Sequence, residues 1–419
     1  GLTLAQAIKK HHPEKFKVVV YERDKGPRSR WQGYHVIFHQ KTSRHLISAI
    51  PQNILSRINQ ITVNAAPRGK FSYCFIDEHS RIVAEHESEQ AENIEKLANL
   101  PPNSTLFLSR DRLRETLLEG IEIYWEKKCC GYEETDDGVW ALFDDGSKIF
   151  GDYLVGCDGI HSQVKKQRFP SIKTVDYKIS LLISNVAVSE RTINRILKIS
   201  RGHLLSTCFG FKGSTNVIFF DLMPIWVKSD PEPRYRMTLQ HISSPQDFDV
   251  FSPAKSPKEL VDLITSQIEK QPSSELRSIL LELWSLIPTE PDPNYPFQYI
   301  PLSRRTVMDF DSKTLPKEWE TTKITLLGDA IHSMTGHLGL GLNNAIIDAN
   351  VLANALSHFD DEGWENCVMK YEKEMRERTY PDIVASRFAA VRAHLIHDDY
   401  FSMYKRNVKL RWKALMSKL

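Results

Sequence analysis

Apolar and polar positions follow two rhythms along the chain. Gly1–Lys10 repeats at helical spacing, with Leu2, Ala5 and Ile8 turned inward and Leu4 beside them. Phe16–Tyr21 is an apolar run of strand length that ends in Glu22. Helical spacing returns after Arg110, with Leu113, Leu117 and Leu118 inward. Trp140–Phe150, broken by Asp144-Asp145-Gly146, predicts a hairpin, and Tyr153–Val155 a short buried strand. Strand-like runs then cluster at Leu181–Val188, His203–Phe211, Thr215–Met223 and Arg234–Ser243, consistent with an antiparallel sheet. Helices are predicted at Pro257–Glu269 and near Ser274–Ser285, followed by an extended crossing marked by Pro288, Pro291, Pro293, Pro296 and Pro301. A strand at Ile324–Leu327 runs into a Gly-rich turn, with a helix opening near Asn343. Cys367–Thr379 and Pro381–Ile396 read as two closing helices.

Composition narrows the class without choosing a chemistry. The chain has 419 residues, 41% hydrophobic and 26% charged, enough for two or three domains around a well-buried core. A net charge of +2 gives no general pull toward nucleic acid. No run of 18 apolar residues predicts a membrane span. The six cysteines show no Cys-x-x-Cys pairing, so neither a disulfide framework nor a structural metal is expected, and a cytoplasmic setting is the default. Cys157 is read as a small packed residue. A basic tail (Lys405, Arg406, Lys409, Arg411, Lys413, Lys418) carries Trp412, Leu415, Met416 and Leu419 on one face. Packing against the domain, or a solvated basic face, is preferred there to peripheral membrane contact.

The chemistry concentrates at residues 324–350. A strand, Gly328-Asp329, the glycines Gly336, Gly339 and Gly341, and a helix N-terminus together aim backbone N–H groups at an electron-rich ligand. The opening segment reads as the second half of a dinucleotide-binding βαβ unit. Glu22 lies 21 positions after Gly1, at the usual distance of about 20 between a phosphate-binding turn and a ribose-binding carboxylate. On that reading Gly1 is the last glycine of a Gly-x-Gly-x-x-Gly turn, and the chain starts late by roughly a dozen residues. The absent strand would leave a gap in the parallel sheet.

These residues, with Asp158-Gly159 and Ser162 in 152–165, resemble the FAD-dependent aromatic-type monooxygenases typified by p-hydroxybenzoate hydroxylase. The resemblance implies an α/β fold: a Rossmann-like FAD-binding domain with a parallel sheet, interleaved with an antiparallel-sheet substrate domain and followed by C-terminal helices. The FAD-binding domain would comprise 1–70, 105–175 and 310–355, the substrate domain 176–305 with 71–104 associated, and the helical region 356–419. By resemblance Asp329 holds the FAD ribityl chain, while Gly339, Gly341, Leu342 and Asn343 present the helix N-terminus to the flavin. Gly1, Glu22, Arg30 and Arg110 join the cofactor site, and Asp158 and Gly159 stand at the FAD and nicotinamide interface. Arg112 and Arg114 read as a solvated helix face.

The implied reaction uses NAD(P)H and O2 to hydroxylate or epoxidise an apolar aromatic or polycyclic small molecule through a flavin C4a-hydroperoxide. The cofactor supplies the hard step, so no compact catalytic set is expected. His332 and His337 are the weak candidates for proton transfer. Aromatic strand residues (Phe209, Phe211, Phe219, Phe220, Met223, Trp226) and Arg304-Arg305 could face a substrate, although core packing and solvation explain them too. Ile331 replaces a family Ala, Gly336 a family Pro, and Lys165 a family Arg. The alternatives are another FAD oxidoreductase, such as an oxidase, and a truncated flavin-free remnant.

Overall fold

The computed structural model describes residues 1–394 apart from 28, 30–34, 63–69, 204, 210–214, 226–233, 244–246, 252–254, 290–302, 312, 313, 315 and 317–319. It opens with α1 (Leu2–His11), β1 (Val19–Tyr21), β2 (His35–His39), α2 (Gln40–Ala49), α3 (Gln52–Asn59), β3 (Lys70–Ile76) and β4 (Ile82–Glu89). Next come α4 (Ile94–Ala98), β5 (Thr105–Ser109), α5 (Arg110–Leu117), β6 (Glu122–Tyr124), β7 (Cys129–Glu134), β8 (Val139–Phe143) and β9 (Lys148–Gly151). The middle holds β10 (Leu154–Gly156), α6 (Gln163–Arg168), β11 (Thr174–Val188), α7 (Glu190–Ile199), β12 (Leu205–Phe209), β13 (Thr215–Ile225) and β14 (Arg234–Ile242). The remainder is α8 (Pro257–Glu269), α9 (Glu275–Ser285), β15 (Ser303–Phe310), β16 (Ile324–Leu326), α10 (Asp329–His332), α11 (Gly341–Ala355) and α12 (Phe359–His394).

The fold is the mixed α/β arrangement that was expected, with parallel strands, a large sheet and C-terminal helices. Outside the large sheet, the parallel strands among the described residues stand as two separate pairs, β1 with β6 and β10 with β16. The large sheet runs β15-β11-β14-β13-β12-β3-β4. Its neighbours are antiparallel except β12 and β3, which pair in parallel from Leu205↔Tyr73 to Cys208↔Ile76. The expected purely antiparallel sheet is therefore mixed, because the β3–β4 hairpin from residues 71–104 adds to its edge.

Two cores hold these layers. One packs Leu4, Phe38, Leu46, Leu106, Leu326, Leu352 and Tyr371 between α1, α2, α11, α12 and the short strands. The other lies between the large sheet and α7–α9, where Leu182, Val186, Ile218, Met237 and Leu239 meet Ile193, Leu260, Ile264 and Trp284. His241 is buried there, and desolvation pushes its imidazole down to about 3. It is neutral, bonded through Nδ1 to Asn216 Oδ1 at 3.2 Å, and the same oxygen accepts the Trp284 indole N–H at 3.1 Å.

Element boundaries follow local chemistry. Ser256 caps α8 in a reciprocal capping box with Glu259, and Pro257 takes the first turn. The two closing helices predicted around Pro381 are one, α12, interrupted only at Gly363 (φ 74°). An interior proline costs about 3 kcal/mol. Burial of Tyr371, Met375, Ile383 and Ala390 along α12 offsets it, each large side chain contributing about 1.5–3 kcal/mol. α11 begins at Gly341, two residues before the predicted Asn343. α1 is buried on Thr3, Leu4, Ala5, Gln6, Ala7 and Ile8, while Leu2 is only half-buried, so its buried face is broader than its periodicity implied. Most of the proline crossing and the basic tail lie outside the described residues.

Candidate cofactor and substrate cavity

A single cavity of about 2640 Å³ is lined by both parallel pairs, the 334–342 turn and one face of the large sheet. A pocket for one small ligand is usually about 300–1,000 Å³, so this one has room for a large cofactor and a substrate together.

The turn after β16 shapes its deepest wall. Gly328 sits at φ 66°, ψ −142°, where a side chain is disfavoured, and a Cβ there would stand 3.1 Å from Ala345 Cβ of α11. Its carbonyl accepts the N–H groups of Ile331 and His332 at 2.9 and 3.0 Å and so starts α10. Asp329 then projects into the cavity, open to it but otherwise enclosed by protein. Desolvation raises its carboxyl, opposed by the charges of His332 and Arg110. Gly341 lies opposite: a Cβ there would meet Asp329 Oδ1 at 3.5 Å. The N-terminus of α11 has no side-chain cap, so its first N–H groups remain available at the cavity edge.

Behind this turn a buried carboxylate ties three elements together. Asp348 Oδ2 of α11 accepts the Gly328 N–H at 2.9 Å and His332 Nε2 at 2.6 Å, and Oδ1 accepts Arg378 Nη2 of α12 at 2.6 Å. Burial alone would raise Asp348, but His332 and Arg378 hold it below the usual carboxylate range. Burial alone would lower His332, but the Asp348 carboxylate beside it raises its imidazole above the ordinary value. His332, one of the two weak candidates for proton transfer, is thus bonded behind the turn and does not line the cavity.

The remaining predicted residues divide clearly. Gly1, Glu22, Arg110, Asp158, Gly159, Asp329, Gly339, Gly341, Leu342 and His337 all line the cavity. Asp158 Oδ2 accepts the Gln163 N–H at 2.8 Å, while its Oδ1 is buried with no partner. Asn343 does not line the cavity. Its carboxamide accepts the His39 N–H at 3.0 Å and donates to the Ile37 and Gly339 carbonyls at 2.8 Å, pinning β2 to the turn. Arg30 lies outside the described residues, as do the side chains of Arg304, Arg305, Phe209, Phe211, Phe219, Phe220, Met223 and Trp226. Cys157 is exposed at the cavity rather than packed, and its Cβ would stand 3.2 Å from a Cβ on Gly1. Lys165 is buried with its amine 3.9 Å from the Phe310 ring, and burial pulls that amine down to about 8.

On the opposite side the large sheet presents a different surface. Leu181, Ile183, Val217 and Ile242 face the cavity from β11, β13 and β14, with Val307 from the edge strand β15, Tyr73 and Phe75 from β3 and Ser88 from β4. Their chain neighbours Leu182, Ile218, Leu239 and Cys74 point the other way into the core over α7–α9. One face is core and the other is cavity.

A family model described as an FAD binding domain matches residues 49–250 and 301–381, a span that includes Arg110, Asp158, Asp329 and Asp348. The chain belongs to the FAD-dependent aromatic-type monooxygenases. It is similar to the FAD-dependent monooxygenase thnD of Trichoderma harzianum, 26% identical over 407 residues that cover 92% of this chain and 89% of the relative. A probable FAD-dependent monooxygenase of Arthroderma benhamiae is 27% identical over 416 residues, 94% of this chain and 89% of that one. Among solved structures, Klebsiella pneumoniae HpxO complexed with FAD and uric acid shares the fold at a TM-score of 0.67 and 18% identity, covering 98% of this chain and 90% of HpxO.

The monooxygenase's own residues fit FAD. The uncapped α11 N-terminus, the desolvated Asp329 carboxylate and the orphaned Asp158 Oδ1 all lack partners that a polar, hydroxyl-bearing ligand provides. Sequence reasoning missed Arg114. Its side chain is only 12% exposed and reaches Asp24 at 3.0 Å and Glu22 at 3.4 Å, with its guanidinium 5.6 Å from the Trp125 ring centre. Periodicity placed Arg114 on the polar helix face, and nothing in spacing shows carboxylates arriving from another strand. Asp348 was also missed. A lone carboxylate in the apolar run Ala345–Ala349 was the available signal.

Proposed function

We propose that this monooxygenase uses NADH or NADPH and O2 to oxygenate a small apolar aromatic or polycyclic molecule held against the large sheet. The observation that carries this reading is the two-sided cavity: a polar wall of Asp329, Arg110, Asp158 and the α11 N-terminus, and an apolar wall of sheet residues. Asp329 accepts hydrogen bonds from the ribityl hydroxyls, Glu22 from the adenosine ribose, and the Gly339–Leu342 turn offers N–H groups to the flavin ring. Gly1 gives close approach at the start of α1, Arg110 offsets phosphate charge, and Asp158 with Gly159 borders the place where the nicotinamide docks. When bound, FAD supplies hydride acceptance and oxygen activation. The apolar sheet face excludes water from that chemistry. His337 is the ionisable side chain of the 334–342 turn that lines the cavity, and we assign it the role of holding or relaying a proton there.

A test is to load the chain with FAD, supply NADPH or NADH under 18O2, and follow 2-naphthol as a probe substrate. One labelled oxygen in the product is expected. Nicotinamide consumption with stoichiometric hydrogen peroxide and no labelled product would instead support the oxidase alternative. Gly336, where the family resemblance expects Pro, is the residue that favours weighing that alternative.

A further inference from the structure

Over strands β11, β13, β14 and β15 the sheet wall of the cavity has one exception to its apolar character among the described residues. Gln240 of β14 faces the cavity, half-buried, between its cross-strand neighbours Ile183 and Val217. Among the described residues of β11, β13, β14 and β15 that line the cavity, it is the one polar side chain, and no Lys, Arg, Asp or Glu joins it. Its carboxamide makes no hydrogen bond to any described residue, unlike the buried Thr238 on the same sheet face, which is bonded to Asn185, and the buried Asn216 on the other face, which is bonded to His241. Sheet registration leaves little freedom here. A shift by one residue would put Gln240 into the core over α7–α9 and His241 into the cavity.

An amide in an apolar wall is costly unless something bonds it. A Leu or Met at this position would complete the apolar surface, so the amide marks the place where a ligand's polar group arrives. A carboxamide offers both a donor and an acceptor, so it suits a neutral hydroxyl or carbonyl. Among the described residues of these strands that line the cavity no cation stands beside it, so a neutral group suits it better than a carboxylate.

We infer that Gln240 is a specificity-determining residue that binds a single neutral hydroxyl or carbonyl on an otherwise apolar ring substrate, fixing that end of the ring to the sheet. This rests on the monooxygenase reading for the identity of the bound molecule as substrate, but the binding itself needs no turnover. A phenol, a naphthol or a ring ketone belongs to the class; an unsubstituted hydrocarbon or a ring carboxylate does not.

Equilibrium dialysis of the FAD-loaded chain with 2-naphthol and with 2-methylnaphthalene, which carries a methyl group where the naphthol has its hydroxyl, tests it. The ratio of the two dissociation constants in the wild-type protein is the reference. In Gln240→Leu and in Gln240→Met that ratio shifts about tenfold toward 2-methylnaphthalene, the loss expected for one ligand hydrogen bond. Urea midpoints of both variants, compared with the wild type, identify any that fails to fold, and the other variant then carries the test. An unchanged ratio in the folded variants overturns the assignment, as does a wild-type protein that binds neither compound. Failure of the flavin reading is seen separately, as absent visible flavin bands. Dialysis repeated without FAD reports the ratio in that case too, and a shift there still supports the role of Gln240.

Discussion

The two walls of the cavity are built on opposite plans. On the cofactor side, charged and polar side chains are wired to one another and to backbone: Asp348 joins Gly328, His332 and Arg378, and Arg114 joins Glu22 and Asp24. On the sheet side, Leu181, Ile183, Val217 and Ile242 interact through shape alone, with Gln240 as an isolated polar point. The contrast shows what each wall must do. A cofactor with fixed hydroxyls and phosphates needs groups held in place before it arrives, and buried networks supply that rigidity. A substrate wall needs dryness and volume, which many apolar sequences provide.

The sharpest way to break this contrast is to cut the cofactor-side hub. Asp348→Ala leaves His332 and Arg378 buried without their carboxylate and should cost about 3–5 kcal/mol of stability, measured by urea unfolding. Val217→Ala on the sheet wall should cost clearly less. Equal losses would mean that the hub is no more integral than the apolar wall.

Asp329→Ala tests the same wall without the hub. Because Asp329 opens to the cavity, stability should change little, while FAD affinity falls about tenfold or more, as expected when hydrogen bonds to a charged group are lost, roughly 1.5–3 kcal/mol. Flavin fluorescence titration measures it. Arg114→Leu sets Glu22 and Asp24 against each other without their shared cation. We expect a loss of about 1–3 kcal/mol in unfolding free energy and a several-fold weaker hold on FAD.

The hub also carries a pH signature. His332 is raised above its ordinary value, so its contribution is full below about pH 6.5 and is lost as pH rises through its folded value. Asp348 is held below its ordinary value, so its contribution is present above about pH 4 and is lost as pH falls through its folded value. Wild-type stability should therefore decline from near pH 6.5 upward, and His332→Gln should flatten that decline. A parallel decline in both proteins would assign the slope elsewhere.

The smallest effect is expected at Gly336. Thr335 already has φ −64° and ψ 148°, a conformation that suits a residue before proline, and a Cβ on Gly336 meets nothing within 4 Å. Gly336→Pro should stabilise by about 0.4–1 kcal/mol and reduce hydrogen peroxide released per NAD(P)H consumed. An unchanged peroxide yield would separate loop stiffness from oxygen control.

The same contrast explains which parts of the molecule were legible in its sequence. Gly328-Asp329 and Asp158-Gly159 could be read because strand, turn and helix demand particular backbone conformations that few residues meet; Gly159 sits at φ 80°. α8 could be read because Ser256, Pro257 and Glu259 mark its start within four residues. Arg114 could not, because its partners come from residues 22 and 24 on another element. The parallel pairing of β12 with β3 joins segments more than a hundred residues apart, a distance beyond any local pattern. The continuity of α12 through Pro381 depended on tertiary burial that outweighs a local breaker. The sheet wall showed alternation but no motif, since apolar surfaces are chemically interchangeable.

The most direct measurement is the visible absorption spectrum of the purified chain after incubation with FAD and removal of the excess, recorded for wild type and Asp329→Ala side by side. Flavin bands near one equivalent in the wild type, and largely lost in Asp329→Ala, are expected if the Gly328–Asp329 wall holds the cofactor. A colourless wild type, or a variant that keeps as much flavin as the wild type, would contradict it.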